Sequence, residues 1–230
     1  MLISHTGVRE DDGVAMPHLV EEPPRSWVYA VLKRILDLAV GAVLLVVSLP
    51  VLIILAVLIM IDSPGSPIFR QRRVGRDGRC FWFYKFRTMH RDARARYPEL
   101  YAYSYSPSET QTLLFKGPHD PRCTRVGRHL RRTSLDELPN LFNVLRGEIS
   151  LVGPRPEIPE MVRYYRAEHL VKFTVKPGLT GLAQVSGRNV LPWLRVAEAD
   201  AIYAEQRSFL LDLRILVRTF LAVVCRSGAL

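Results

Sequence analysis

The densest group of chemistry-bearing side chains lies between residues 131 and 160, where the adjacent carboxylates of Asp136 and Glu137 stand among arginines. These arginines are Arg131, Arg132, Arg146 and Arg155. A carboxylate can approach a phosphorus atom only if the repulsion between two anions is relieved, which fixed cations or a metal ion can do. The group is therefore a candidate site for handling a phosphate ester.

The same carboxylates also have a purely structural interpretation. Ser134 and Glu137 have the S-x-x-E spacing of a capping box, and acidic residues suit a helix N-terminus. The two interpretations are compatible, because a helix N-terminus with free N–H groups is itself a phosphate-binding site. The spacing of the leucines predicts that this helix runs from Leu135 to Leu145.

Arg155 stands out among the cations because its neighbours fix its backbone. It lies in the sequence Gly153-Pro-Arg-Pro156, and its guanidinium fork suits bidentate contact with phosphate. A surface arginine in a rigid turn is the alternative.

Other candidate phosphate ligands are weaker when taken one at a time. Lys85 and Arg87 lie in a segment that interleaves cations with aromatic residues, which an edge strand with solvated charges would also explain. Arg122 and Arg132 belong to a basic stretch that could equally be one face of a helix.

A 24-residue uncharged apolar run, from Leu38 to Ile61, lies upstream of these groups. As one straight helix it would reach about 36 Å, which is enough to span a hydrocarbon core of about 30 Å. Pro50 lies at its middle, where it removes a backbone donor and clashes with the carbonyl of Val46. Each half then reaches only about 18 Å, close to half a bilayer.

The charges that flank the apolar run favour a re-entrant helical hairpin over a single span. The fifteen residues before the run contain three cations and the fifteen after it contain four. These are Arg25, Lys33 and Arg34 on the first side and Arg70, Arg72, Arg73 and Arg76 on the second. The positive-inside rule therefore assigns both flanks to the cytoplasm.

The overall charge narrows the class of partner. A net charge of +10 fits nucleic acid, anionic lipid or a phosphorylated substrate. The apolar run favours a membrane, and we expect no nucleic-acid partner. The three cysteines have no C-x-x-C spacing, and the histidines form no cluster with them, so we expect reduced thiols in a cytosolic compartment and neither a zinc site nor a disulfide framework.

The pattern of elements predicts a mainly α fold with a small β-hairpin or sheet element, in the α+β class. Residues 1–26 read as a flexible tail, 27–62 as the re-entrant membrane hairpin with an interfacial start, and 63–230 as the catalytic domain. The β-hairpin should turn at Asp77-Gly78. A short strand is predicted at Leu182–Val185, and one amphipathic helix from Val196 to Cys225.

Taken together and in order, these segments resemble the bacterial sugar transferase family, the monotopic polyprenyl-phosphate phosphoglycosyl transferases. The resemblance covers about residues 27–225. It is carried by 61–65, 85–89, 120–122, 132–139, 151–156 and 176–189, the last of which contains Arg188.

The resemblance implies transfer of a sugar-1-phosphate from a nucleoside diphosphate sugar, usually a UDP-sugar, to a polyprenyl phosphate such as undecaprenyl phosphate. Asp136 would be the nucleophile that forms a phosphosugar-enzyme intermediate, and Glu137 would hold Mg²⁺. Arg155, and with it Lys85, Arg87, Arg122, Arg132 and Arg188, would bind phosphate and substrate.

The same resemblance places the protein at the bacterial inner membrane, in the cytoplasmic leaflet, with the catalytic domain facing the cytoplasm. It implies the first membrane step of exopolysaccharide, O-antigen or other glycoconjugate synthesis, with a homodimer as a possible assembly. One departure concerns the membrane break. The family often has serine directly before the breaking proline, whereas this chain has Leu49 there and serine at Ser48.

Two rival functions follow from the same features. A non-enzymatic membrane scaffold could use the arginines on anionic lipid, but it would leave the combination of Asp136, Glu137 and Arg155 without a role. A phosphatidyl transferase normally needs several spans, and this chain offers one long apolar segment.

Overall fold

Helices dominate the structure, a computed structural model that describes residues 26–114, 120–187 and 191–225. The α-helices are α1 (Trp27–Asp62), α2 (Ala93–Arg96), α3 (Pro107–Thr112), α4 (Arg125–Thr133), α5 (Leu141–Arg146), α6 (Leu182–Gly187), α7 (Trp193–Gln206) and α8 (Phe209–Val224). Short 3₁₀-helices lie at Arg76–Gly78, Pro98–Tyr101, Leu135–Asn140, Pro159–Tyr164 and Ala167–Thr174. The predicted predominance of helix is confirmed.

Two small sheets complete the fold. Strands β1 (Ile68–Val74) and β2 (Cys80–Phe86) pair antiparallel. Strands β3 (Ser150–Val152) and β4 (Gly178–Thr180) pair parallel. The hairpin turns at Asp77 and Gly78, whose φ angles of 57° and 76° lie in the left-handed region, as the Asp-Gly pair predicted.

Helix α1 begins at Ser26, whose side chain accepts a hydrogen bond from the N–H of Val28. It continues as one helix through Pro50. Ser48 Oγ donates to the carbonyl of Leu45 at 3.1 Å. By length and composition α1 is the one helix in the described part of the chain that could cross a membrane.

Both ends of α1 contact the globular part of the molecule. Near its start, Lys33 Nζ lies 2.7 Å from a carboxylate oxygen of Asp212 in α8. At its end, Asp62 Oδ2 accepts a hydrogen bond of 2.9 Å from the N–H of Val126 in α4. Between these contacts α1 exposes a series of apolar side chains. Among them are Val43, Val46, Val47, Leu49, Ile53, Ile54, Val57 and Ile61.

The central core joins α1, α5, the β3–β4 sheet and the C-terminal helices. Its buried side chains are Leu141, Val144, Ile149, Leu151, Val152, Tyr203 and Ile215. Gly41 allows α1 to lie close to α5, since a Cβ there would sit 3.3 Å from Val144 Cγ1. The core therefore ties the apolar helix to the elements that carry the candidate site.

Two sequence predictions about the C-terminal part are wrong. Residues 182–185 form the start of α6 rather than a strand, because the N–H of Val185 bonds back to the carbonyl of Gly181 at 3.2 Å. The long C-terminal helix is two helices, α7 and α8. The second begins afresh at Ser208, which caps it by accepting from the N–H of Leu211.

Candidate active site

A cavity of about 1250 Å³ opens beside the β1–β2 hairpin and the 3₁₀-helix Leu135–Asn140. Asp136, Glu137 and Arg155 all line it. The structure therefore brings together the three residues that the sequence singled out for phosphate chemistry. Strand β2 packs directly on the 3₁₀-helix that carries the two carboxylates.

Asp136 and Glu137 are held by a turn rather than by a capped α-helix. Ser134 ends α4 in a left-handed conformation (φ 57°) and makes no capping hydrogen bond through its side chain. The N–H of Glu137 bonds instead to the backbone carbonyl of Ser134 at 3.2 Å. The predicted capping box is therefore wrong, and the predicted helix divides into a 3₁₀ turn followed by α5 from Leu141.

The turn gives the two carboxylates different surroundings. Asp136 is buried, with 3% of its surface exposed. Glu137 is partly exposed and lies 3.3 Å from Nη2 of Arg155. A buried carboxylate beside an ion-paired one is an arrangement that can divide two roles between neighbouring acids.

Arg155 is surrounded by carboxylates. Partial burial lowers its pKa, but Glu137, Glu157 and Asp136 act in the opposite direction, so that the pKa is raised on balance. Its side chain remains 37% exposed, on the cavity side. The guanidinium therefore has capacity for a further anion such as a phosphate.

The loop that carries Arg155 is held by the segment from Lys176 to Gly181. The N–H of Gly153 donates to Thr180 at 2.9 Å, and the N–H of Gly178 donates to Pro154 at 2.8 Å. A Cβ on Gly178 would lie 2.0 Å from the nitrogen of Gly153, so only glycine permits this approach. The segment from Lys176 to Gly181 thus fixes the loop Gly153–Pro156, which carries Arg155.

Lys85 and Arg87 both line the cavity, but Arg87 has a structural task as well. Arg87 donates to the carbonyls of Ser63 and Pro64, just beyond the end of α1, the second at 3.2 Å. Lys85 Nζ lies 5.4 Å from the centre of the Phe69 ring. Arg87 therefore fixes the end of α1 against the hairpin.

The basic stretch after residue 119 divides between cavity and solvent. Arg122 and Arg131 line the cavity, and each donates to Asp120 at 2.8 Å. Arg132 is exposed and is not among the cavity-lining residues. Arg188 lies outside the described residues.

Arg73 is a cavity residue that the sequence analysis counted only as a flanking charge. Its Nη1 donates to the carbonyl of Pro156 at 3.2 Å and lies 3.9 Å from Glu157. Burial lowers the pKa of Arg73. The signal that could have found it is strand alternation, since Arg73 shares a face of the hairpin with the buried Phe83.

The oxygen donors in the cavity suit a hard divalent cation. Within the described residues, no group of three or more His, Cys, Asp and Glu side chains is arranged to hold a metal ion by itself. Mg²⁺ does not require such a cage, because it is commonly bound through one or two carboxylates together with substrate phosphates. Asp136 and Glu137 are therefore a fitting pair of donors once a diphosphate is present.

Comparison with known proteins yields a consistent picture. A family model described as bacterial sugar transferase matches residues 28–226. The UDP-galactose-lipid carrier transferase of Erwinia amylovora is 41% identical over 198 residues, which cover 86% of this chain and 41% of that protein. The UDP-glucose:undecaprenyl-phosphate glucose-1-phosphate transferase of Caulobacter vibrioides is 40% identical over 206 residues, 86% of this chain and 71% of that protein.

Relatives of two sizes occur. The chain spans about two fifths of the Erwinia protein, whereas it covers 90% of an uncharacterized sugar transferase of Bacillus subtilis, to which it is 38% identical over 201 residues. The similarity therefore includes a protein of nearly the same extent.

Proposed function

The chain belongs to the bacterial sugar transferase family, and on that premise we propose that it transfers a sugar-1-phosphate from a UDP-sugar to undecaprenyl phosphate. The products are an undecaprenyl-diphosphate sugar and UMP. The observation that carries the proposal is the buried Asp136 beside Glu137, which is paired with Arg155 in one cavity. The printed names of the Erwinia and Caulobacter relatives support the substrate classes.

The proposed chemistry has two displacements at one phosphorus atom. A carboxylate oxygen of Asp136 attacks the phosphorus that bears the sugar, and the bond from that phosphorus to the bridging oxygen breaks, which releases UMP. An oxygen of undecaprenyl phosphate then attacks the same phosphorus, and the bond to Asp136 breaks, which restores the carboxylate. The protein contributes mainly position and charge, as in other phosphoryl transfers.

The cationic side chains of the cavity have roles in this scheme. Arg155 binds a phosphate oxygen of the donor and offsets the negative charge that gathers there. Its pairing with Glu137 keeps the guanidinium near the nucleophile in the free protein. Lys85, Arg122, Arg131 and Arg73 add positive charge around the same space.

Glu137 is the residue we propose to hold Mg²⁺, with Asp136 beside it. The ion would neutralise the diphosphate so that an anionic nucleophile can approach it. The support is the chemistry of the donor set, two adjacent carboxylates in a basic cavity.

We further propose that α1 is a re-entrant membrane element and that both of its ends face the cytoplasm. The support is that Lys33 and Asp62, 29 residues apart on α1, both bond to the same globular part. The exposed apolar side chains between them would contact lipid. In the proposed arrangement the cavity would lie at the inner face of the membrane, where a soluble donor would meet a lipid acceptor for glycoconjugate synthesis.

The test is release of UMP from a panel of UDP-sugars with undecaprenyl phosphate and Mg²⁺. We expect one or more sugars to give turnover, and Asp136→Asn to abolish both turnover and the trapping of labelled sugar-phosphate on the protein. Asp92→Asn is the matched control, because Asp92 is exposed and pairs with Arg96 on the surface. Efficient transfer by Asp136→Asn at an unchanged Tm would reject the nucleophile, and no turnover with any sugar would favour the membrane scaffold.

A further inference from the structure

A buried ion pair lies at the wall of the cavity, and its lysine, Lys172, is one of the lining residues. Lys172 Nζ and Asp200 Oδ2 lie 2.8 Å apart, and their side chains are 2% and 0% exposed. Burying two charges costs several kcal/mol per ion, so such a pair is poor evidence for stability in its own right. Its position in the fold offers a better explanation.

Asp200 is bonded to the residue that is central to the proposed site. Its Oδ2 accepts a hydrogen bond of 3.1 Å from the backbone N–H of Arg155. The bond is to the backbone, so the guanidinium stays available on the cavity side, where it meets Glu137. Asp200 thus holds the base of the Arg155 side chain without competing for its charge.

Lys172 connects Asp200 back to the same loop by a second route. Its Nζ also donates to the hydroxyl of Tyr165 at 2.9 Å, and that hydroxyl donates to Glu157 Oε2 at 2.9 Å. Asp200 therefore bonds to the backbone of Arg155, and Lys172 and Tyr165 connect Asp200 to the side chain of Glu157. The hydrogen bonds form a closed circuit beneath the loop.

The remaining positions of the loop are fixed from other sides. The carbonyl of Pro156 accepts from Arg73, and Glu157 Oε2 also accepts from Trp193 Nε1 at 3.0 Å. The N–H of Ile158 donates to Glu157 Oε1 at 2.9 Å. Three consecutive residues, 155 to 157, are each bonded to a buried or partly buried side chain.

We propose that Lys172 and Asp200 are positioning residues that set Arg155 against Glu137 and Asp136. The inference rests on the proposed function, because it presumes that Arg155 binds phosphate. A misplacement of about 1 Å in a catalytic group can lower the rate about a hundredfold. Fixing the position of the Arg155 guanidinium therefore favours a high reaction rate. The charges of the pair are what keep the circuit closed in the absence of substrate.

A double-mutant cycle tests the inference. Asp200→Asn keeps the shape of the side chain but removes the charge that holds Lys172, and we expect kcat/KM for the UDP-sugar to fall roughly 10- to 100-fold. We expect a similar or larger loss for Arg155→Ala. The double variant should lose no more than about threefold beyond the worse single variant, because Asp200 acts through Arg155.

Asp212→Asn is the matched control in the same cycle. Asp212 is also fully buried and pairs with a lysine, Lys33, at 2.7 Å, but it holds α1 rather than Arg155. The loss in kcat/KM that Asp212→Asn causes should multiply with the loss that Arg155→Ala causes, as expected for two independent effects. Tyr165→Phe is the milder variant if Asp200→Asn folds poorly, and its smaller loss should also vanish in the Arg155→Ala background.

If the losses in kcat/KM for Asp200→Asn and Arg155→Ala multiply in the double variant, the positioning role is overturned and the proposed function is not. The same holds if the losses for Tyr165→Phe and Arg155→Ala multiply. Full activity in Arg155→Ala would overturn both this inference and the phosphate role of Arg155. Loss of steady-state UMP release in every variant, with the first equivalent of UMP and the trapping on Asp136 intact, would show a failure after the first displacement and would also overturn the inference.

Discussion

Single carboxylates organise the cations around the cavity, and Asp120 is the clearest example. It accepts from Arg122 at both oxygens, at 2.8 and 2.9 Å, and from Arg131 at Oδ2, at 2.8 Å. Burial raises the pKa of Asp120, but the hydrogen bonds from the two arginines lower it by a larger amount. The pKa of Asp120 therefore lies well below its ordinary value. One acid therefore fixes two cavity arginines.

This shift gives a prediction about acid stability. A carboxyl whose folded pKa is depressed stabilises the fold above its unfolded pKa of about 3.9 and loses that contribution as the pH falls below it. We expect Asp120→Asn to lower Tm at pH 7 by roughly 4–8 °C, from the loss of about 2 kcal/mol of charged hydrogen bonding. Thermal unfolding at pH 7, 5, 4 and 3 measures the effect.

The difference between parent and variant should stay constant from pH 7 to 5 and shrink below pH 4. Glu109→Gln is the control, since Glu109 caps the short helix α3 at the surface and touches neither arginine. A difference that persists unchanged at pH 3 would contradict the assignment of the stability to the ionised carboxyl.

At the residue scale, short motifs were enough to name Asp136, Glu137 and Arg155 as one candidate group, and the structure brings these three residues to one cavity. Their chemical roles stay predictions. Arg73 was counted as a flanking charge and Arg131 as one of several nearby arginines. That both line the cavity depends on packing between distant segments. The capping box at Ser134 failed because the left-handed turn that ends α4 overrides the local S-x-x-E pattern.

Among the helices and strands, close approach to a neighbouring backbone limits what a position can hold. Gly127 lies in the first turn of α4, which packs on the chain just after β2. A Cβ on Gly127 would lie 2.0 Å from the carbonyl oxygen of Thr88. That oxygen already accepts from the N–H of Thr124, the residue that caps α4. Helix α4 and the segment just after β2 are thus in contact through backbone atoms.

We therefore predict that Gly127→Ala destabilises the protein strongly. Overpacking against rigid backbone costs about 1–3 kcal/mol or more, which corresponds to a drop in Tm of roughly 2–12 °C. Gly41→Ala is the matched control, because its Cβ would meet side-chain atoms of Val144 at 3.3 Å and alanine favours a helix interior. Thermal unfolding in detergent should show a change of less than about 1 kcal/mol for Gly41→Ala; equal losses in both variants would disprove the account.

Element boundaries were predictable where a local signal existed. The Asp-Gly turn of the hairpin and the start of α1 have such signals, and both are where the sequence puts them. The break between α7 and α8 has a weaker signal. It is Ser208, which caps α8 but lies within an amphipathic pattern that continues from one helix to the next. Residues 182–185 have β-compatible composition but enter a helical turn, since β4 is already complete at Thr180.

For the whole molecule, the attachment of both ends of α1 to one globular part makes a prediction about sidedness. In a chain whose native cysteines are replaced, single cysteines at Ser26 and Ser66 flank α1 on exposed positions. We expect an impermeant maleimide to label both in inverted membrane vesicles and neither in right-side-out spheroplasts. Arg195→Cys, on an exposed part of α7, marks the cytoplasmic side. Labelling of Ser26→Cys and Ser66→Cys from opposite sides would instead establish a single span.

At this scale the sequence predicted the class of fold but not its assembly. Apolar periodicity and the long uncharged run were enough to predict a mainly α protein with one helix that is long and apolar enough to cross a membrane. The packing of α1 onto α5 through Gly41, and the partnership of Lys33 with Asp212 across 179 positions, depend on long-range fit. No local pattern encodes such contacts.

The polar contacts of α1 have a consequence for protein engineering. Asp37 Oδ1 accepts hydrogen bonds of 2.9 Å from Ser150 Oγ and from the N–H of Leu151, in a buried position of the central core. A chimera that exchanged α1 for another hydrophobic sequence of equal length would leave those donors unsatisfied and would remove Lys33, the lysine that pairs with Asp212. Such a graft would destabilise the globular part, so we expect that α1 and the globular part can be transplanted only as one unit.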